Sequence, residues 1–199
     1  EAVGFDLDSG AARFAAEAHG LTTYSGELRA AAIAPGSFDL VCSVQALEHM
    51  PDPVAAVREF GRYLKPGGGL FVEVPNLHDP LLTLYDVPAY HRFYYHRAHL
   101  WYFSAKALTA VMAKAGFMGE VVFSQDYNLV NHLHWAFRDR PQATADEGLG
   151  PARLPLRDGV AGELRRDLDA LLADTDRRYK RILARHRAGE NLAFIGRKA

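Results

Sequence analysis

The sequence predicts an α/β fold built on a parallel sheet, and two observations predict it. Residues 35–76 contain two almost wholly apolar runs, 38–43 (FDLVCS) and 70–74 (LFVEV). That composition suits strands covered by helices on both faces. Between them Val54, Val57, Phe60 and Leu64 recur at three- and four-residue steps, the period of a helix. Strand, helix and strand in that order form the crossover unit of a parallel sheet.

Composition narrows the function classes. At 199 residues one domain is expected, able to bury about 70% of its unfolded surface. Lys and Arg number 23 against 24 Asp and Glu, for a net charge of -1, so a basic nucleic-acid footprint is not expected. No apolar run reaches the roughly 18 residues of a membrane span, and no secretory leader is recognised at the start. The one cysteine, Cys42, lies in an apolar strand and is expected to be an inert core residue of a cytoplasmic protein. No repeats or low-complexity tracts are visible.

Taken in order, residues 1–8 read as a strand ending on Asp6. A helix follows over 9–19, with Asp8 or Ser9 as its cap and Gly20 as its stop. A strand over 21–24 leads to Gly26-Glu27-Leu28. The strand at 38–43 delivers Ser43, Val44 and Gln45 to its carboxyl end, where parallel sheets collect ligands. Pro53 opens the next helix, and Lys65-Pro66-Gly67-Gly68-Gly69 stops it. Residues 76–102 are rich in aromatic and histidine side chains, broken into turns by Pro75, Pro80 and Pro88. They read as a substrate cover: too aromatic for disorder and placed over the crevice. Ser104 caps a helix over 105–115 with Leu108, Val111, Met112 and Ala115 as its buried stripe, and Gly116 ends it. A strand at 120–123 and a helix over 128–138 follow. Residues 141–155 read as a mobile polar linker. A helix of about 28 residues over 160–187 carries Leu164, Leu168, Leu171, Leu172, Tyr179, Ile182 and Leu183 amid alternating charges. Gly189 ends it, and 192–196 is the last strand.

The order of motifs in 35–76 resembles the class I S-adenosylmethionine-dependent methyltransferases. Phe38-Asp39-Leu40-Val41, Leu47-Glu48-His49, Pro51-Asp52-Pro53, Leu64-Lys65-Pro66-Gly67-Gly68 and Pro75-Asn76 carry the likeness, and His99-Leu100-Trp101-Tyr102-Phe103-Ser104 adds a histidine–aromatic–phenylalanine–serine motif. The likeness covers roughly residues 2–122 and is strongest toward small-molecule O- and sugar methyltransferases, including those of quinone biosynthesis. It implies a Rossmann-like sheet, parallel with one antiparallel strand, the last, inserted in the edge region. The family's first strand, glycine-rich loop and first helix would precede residue 1. Gly148-Leu149-Gly150 follows no strand and does not replace them, so the expectation is a segment of a longer chain or a gene lacking its start. The domain reading is a partial core over 1–127, a helical lid or dimerisation element over 128–189 and a closing strand over 190–199.

The resemblance implies S-adenosyl-L-methionine as cofactor. Asp6 would accept from its ribose hydroxyls, Leu7 would pack on its adenine, and Ser43, Val44 and Gln45 would lie near its sulfonium. Glu27 and Leu28 fall where the family contacts adenine, or form a solvated loop. In quinone-type relatives a carboxylate three residues before the Glu-His pair completes a metal site; here that position is Gln45, and no metal is expected. The implied reaction is methyl transfer to a hydroxyl of a sugar, quinone-like or polyketide-like acceptor. His99 or His96 in the cover is favoured as the base over His49, and Tyr90, His91, Tyr94, Tyr95 and Trp101 would bind the acceptor. A homodimer through the 160–187 helix is a further expectation. A non-catalytic methyltransferase-like scaffold is the alternative; a nicotinamide-dependent oxidoreductase would share Asp6 but lacks a hydride-transfer constellation.

Overall fold

A computed structural model describes residues 2–30 and 32–198. Its contacts divide the chain into two compact units, Glu1–Ser37 and Phe38–Ala199. The first holds strand β1 (Val3–Asp6), helix α1 (Ser9–His19) and strand β2 (Thr22–Ser25), with β1 and β2 parallel. The Asp8 carboxylate accepts from the Gly10 and Ala11 amides at the start of α1, and Gly20, at φ 65°, ends it, as the sequence predicts.

The second unit is built on strands β3 (Phe38–Val44), β4 (Leu64–Pro75), β5 (Phe117–Ser124) and β6 (Asn191–Lys198), in the order β3-β4-β6-β5. β3 and β4 are parallel, and β6 runs antiparallel to both of its neighbours. The reversed closing strand therefore lies inside the sheet rather than at its edge. Helix α2 (Pro53–Tyr63) makes the crossover from β3 to β4; Asp52 caps it by accepting from the Ala55 amide. Pairing with β3 resumes at Gly69, after a register shift across the glycine run in which Gly67 takes φ 76°.

The pairing separates two sheet faces, because successive residues of a strand point to opposite sides. Leu70, Val72 and Val74 of β4 share a face with Leu192 and Phe194 of β6, and all five are essentially inaccessible. With Val57 of α2 and Leu108 and Met112 of helix α5 (Ala105–Ala115) they form the fully buried core. Ser104 caps α5 and Gly116, at φ 91°, closes it. The opposite face carries Leu40 and Val44 of β3, Ile195 of β6 and Met118 of β5, all exposed. Cys42 lies on that face and is exposed too, against the expectation of a core thiol. An apolar run reports that a strand is in a sheet, not which of its faces is covered.

Gly119 faces Gly196 across the β5–β6 ladder, where a Cβ would come within 2.6 Å of the Gly196 α-carbon and closer still to the Ile195 carbonyl oxygen. Neither backbone atom can turn aside as a side chain could. Gly119→Ala is expected to cost at least 1–3 kcal/mol, roughly the penalty for overpacking a core. An unchanged urea midpoint would contradict this.

The prolines of the aromatic segment begin helices rather than only breaking it. Pro80 and Pro88 stand in the first turns of α3 (Pro80–Thr83) and α4 (Pro88–Tyr94), where a missing N–H costs nothing. Helix α6 (Leu129–Arg138) is capped by Asn128. The stretch expected to be a mobile linker contains α7 (Ala145–Leu149) and is tied down: Asn128 Nδ2 donates to the Glu147 and Gly150 carbonyls, and Asn131 Nδ2 to Gln142 Oε1. A gap between helices in sequence cannot show that asparagines of the preceding helix will hold it. Helix α8 (Gly162–Arg185) packs on β5, burying Leu183 and Asp176. No described helix is long and apolar enough to cross a membrane.

Candidate active site

The carboxyl end of β3 runs into a short 3-10 turn, Leu47–His49. Gln45 takes φ 49°, an unusual value outside glycine, and its amide donates to the Glu73 carbonyl. This bend carries Glu48 inward. Glu48 is 1% exposed, and neither carboxylate oxygen has a hydrogen-bond partner among the described residues. Burial is the main cause pushing its carboxyl above the usual range.

A clip holds the aromatic segment against this turn. The Leu100 and Trp101 amides both donate to the Glu48 carbonyl, and Trp101 Nε1 donates to the Met50 carbonyl at 2.9 Å. His49 Nδ1 lies 2.7 Å from the Ala98 carbonyl. A carbonyl can only accept, so Nδ1 carries the hydrogen and the neutral ring has its lone pair on Nε2. His49 Nε2 sits 3.8 Å from Glu48 Oε1.

The clip also brings in His99. Its ring centroid is 4.9 Å from that of His49 and 4.0 Å from that of His96. Its Nδ1 is buried without a hydrogen-bond partner among the described residues. Partial burial, then the neighbouring His96 and His49, push His99 down to about 4, so it is neutral at physiological pH. One ligand atom from each of Glu48, His49 and His99 lies within 4.8 Å of the other two, a donor set that would also admit a divalent cation. Gln45 does not join it: its side chain donates to Asn191 Oδ1.

Around this cluster the other expected site residues are dispersed. Tyr94 is buried, its hydroxyl donating to the Asn76 carbonyl, and burial is the main cause pushing its phenol upward. Tyr95 and Trp101 are partly exposed, and Tyr95 packs edge-on against Tyr94 and Tyr102. His91 turns to Asp86 at 3.0 Å. Tyr90 donates to Asp79 Oδ2. Ser43 is buried with an unpartnered Oγ, whereas Val44 is exposed. In the first unit, Asp6 Oδ1 accepts from the Asp8 amide, Leu7 is exposed, Glu27 is exposed and Leu28 begins a 3-10 turn.

Sequence reading missed two buried carboxylates. Asp79 is 2% exposed, accepts from the Leu81 amide and Tyr90 hydroxyl, and is pushed up to about 7, chiefly by burial. Its signal was available as a cap, because Asp-Pro is a helix-start pattern. Glu190 accepts from Gln125 Nε2 and from the Asp126 and Tyr127 amides. Behind it stands His132, fully buried, with Nδ1 2.6 Å from the Tyr179 hydroxyl. Nothing in the sequence marks that network, whose members come from four separated segments.

Parallel strands crossed over by a helix, one reversed strand within the sheet and a polar cluster beyond the carboxyl end of β3 define a Rossmann-like α/β domain with its site at the strand ends. Residues 1–120 match the family model described as a methyltransferase domain, and the chain belongs to the S-adenosylmethionine-dependent methyltransferase family. That membership implies S-adenosylmethionine as the cofactor. Over 46 residues, 23% of the chain, it is 52% identical to a ubiquinone biosynthesis O-methyltransferase of Xanthomonas campestris pv. campestris (strain B100). Over 84 residues, 38% of the chain, it is 38% identical to the protein of that name from Albidiferax ferrireducens. The chain spans only part of these curated relatives, 19% and 33% of their lengths. Among solved structures it resembles a methyltransferase from Thermotoga maritima described as a possible histamine N-methyltransferase, with TM-score 0.57 and 20% identity over 99% of this chain and 72% of that one. A second, from Archaeoglobus fulgidus, gives TM-score 0.56 and 16% identity over 100% and 76%. These two likenesses concern the fold.

Proposed function

We propose that this protein transfers the methyl group of S-adenosylmethionine to a hydroxyl oxygen of a small-molecule acceptor. The observation that carries the reading is the buried, unpartnered Glu48 carboxylate beside an imidazole whose tautomer is set by the Ala98 carbonyl. A buried carboxylate lacking hydrogen bonds is costly, and such sites are kept where a bound group or a transient charge completes them. When bound, the cofactor supplies an electrophilic methyl group on a sulfonium. The remaining tasks are positioning and proton removal. His49 Nε2 takes the acceptor hydroxyl's proton as the oxygen–carbon bond forms and the carbon–sulfur bond breaks. Glu48 then stabilises the imidazolium. This favours His49 over His99 and His96; His99, neutral and half-buried, orients the acceptor instead.

The residues present fit the cofactor at two places, each within its own unit. Asp6 ends β1 with an exposed carboxylate for ribose hydroxyls, next to exposed Leu7 for a base, with Glu27 and Leu28 following β2. In the second unit, Ser43 Oγ is buried without a partner at the end of β3, beside Val44 and Gln45. Tyr90, His91, Tyr94, Tyr95 and Trp101 would wall the acceptor; sugar, quinone-like and polyketide-like rings all suit aromatic walls. The names of the curated relatives favour the quinone-like class. A single cysteine, with no intrachain disulfide to form, suits a cytoplasmic setting. The test uses the full-length protein with methyl-labelled cofactor and a panel of hydroxylated acceptors. Label in an ether product is expected; saturable cofactor binding without transfer to any acceptor would favour the scaffold reading.

We also propose a second copy of the chain as partner, joined through α8. Leu164, Leu171 and Ile182 are exposed along one stripe. Glu163 and Asp167 flank its first half; Arg178, Arg181 and Arg185 flank its second, where with Ile182 they line a groove of about 460 Å³. Two antiparallel copies related about Asp174 would set Glu163 against Arg185 and Asp167 against Arg181, a self-complementary contact. Sedimentation should show a dimer that R181E/R185E separates and that adding E163R/D167R restores. A monomer at about 100 μM, a concentration well above the micromolar Kd of a weak specific contact, would overturn this.

A further inference from the structure

We propose that the cavity between α4 and α6 is a binding site for a single hydroxylated aromatic ring, its hydroxyl bonded to Glu190. The cavity has a volume of about 170 Å³. An apolar cavity of about 150 Å³ accepts benzene, so this space has room for one six-membered ring.

Its walls select the ring's chemistry. Tyr90, Phe93 and Trp135 line it with ring faces and edges, their centroids 5.0–5.7 Å apart. Leu81 completes the apolar part and is buried together with Trp135. The Tyr90 hydroxyl is committed to Asp79, so the wall receives that ring's carbon surface. Asn131 and Gln142, also on the wall, are bonded to one another.

Glu190 is the acidic group among the lining residues. Its Oε1 accepts two backbone amides and its Oε2 accepts Gln125 Nε2 at 2.5 Å. A carboxylate offers about four acceptor positions, so Oε2 retains one for a donor. Tyr127 and Thr144 also line the cavity, so the match to a flat ring rests on the Tyr90, Phe93 and Trp135 walls and the open Glu190 acceptor. A pyranose of the same size lacks an aromatic face to set against Tyr90, Phe93 and Trp135. The site is thus built for a phenol. It rests on the methyl-transfer reading only for the statement that this ring is part of the acceptor; ring binding does not depend on it.

The experiment follows the indole N–H signal of Trp135 by 1H–15N NMR on the full chain, with Trp101→Phe identifying the other of the two tryptophans. Phenol is expected to move the Trp135 signal saturably, with a Kd of about millimolar for so few atoms. Ala145→Phe places a ring in the cavity from the exposed first residue of α7 and should abolish the shift with the fold retained. Glu190→Gln should weaken phenol at least several-fold while leaving toluene unchanged. The proposal falls if phenol moves nothing, if cyclohexanol or methyl glucoside binds as well as phenol, or if Ala145→Phe leaves the shift intact. A phenol that binds while no methyl transfer is found would retain this site and remove the methyl-transfer reading.

Discussion

Replacing His49 by alanine is expected to lower kcat for methyl transfer by about 10²–10⁴, the usual contribution of a positioned general base. Cofactor affinity should stay within about twofold, because His49 is assigned to the acceptor's proton and not to cofactor binding. Glu48→Gln keeps the shape of the buried group but removes the charge that would steady an imidazolium beside it, so its kcat should fall by a smaller factor with KM little changed. His99→Asn should instead raise KM for the acceptor. The measurement is steady-state transfer of labelled methyl by the full-length enzyme at saturating cofactor. A His49→Ala enzyme with undiminished kcat would remove the base assignment, and an equal loss in all three variants would indicate collapse of the clip that joins 98–101 to 48–50.

The second large effect concerns Asp79. Its carboxyl titrates at about 7 in the folded protein, against an ordinary value of 3.8. Between those values the folded chain holds a proton that the unfolded chain has released. Stability therefore falls as pH rises from about 4 through 7, and the loss is complete above the folded value. The difference amounts to roughly 4 kcal/mol, an order-of-magnitude figure for a group this buried. An asparagine side chain in place of Asp79 would keep an acceptor for the Leu81 amide, and asparagine is also a good helix cap. Asp79→Asn should therefore be more stable than the parent at pH 8, with the advantage vanishing toward pH 4. Urea denaturation at pH 5 and 8 decides it: parallel pH dependence in the two proteins would show that Asp79 does not carry the effect.

Much of the fold was legible because local rules act over a few residues. The cap-and-glycine pairs Asp8 and Gly20, and Ser104 and Gly116, bound α1 and α5 where the sequence said they would. The crossover from β3 through α2 to β4 was readable from strand and helix periodicity. The site was legible only in pieces. His49 and His99 were each visible as candidates, but fifty residues separate them, and their meeting depends on backbone bonds from Leu100 and Trp101 to the Glu48 carbonyl. Choosing His49 needs the Ala98 carbonyl, which no motif encodes. Cys42 was misjudged because alternation within a wholly apolar strand carries no sign of which face is covered. Glu190 escaped notice and His132 was given no role, because isolated polar residues acquire function only when the fold removes them from water.

By itself the sequence determined the kind of sheet, the positions of the principal helices and the family, since propensity, capping and motif order are properties of neighbouring residues. Tertiary structure alone decided that Glu48 is buried without a partner, that Asp79 titrates near neutrality and that Glu190 faces a ring-sized cavity. Those are consequences of desolvation, and desolvation is set by what segments distant in the chain lay over a group.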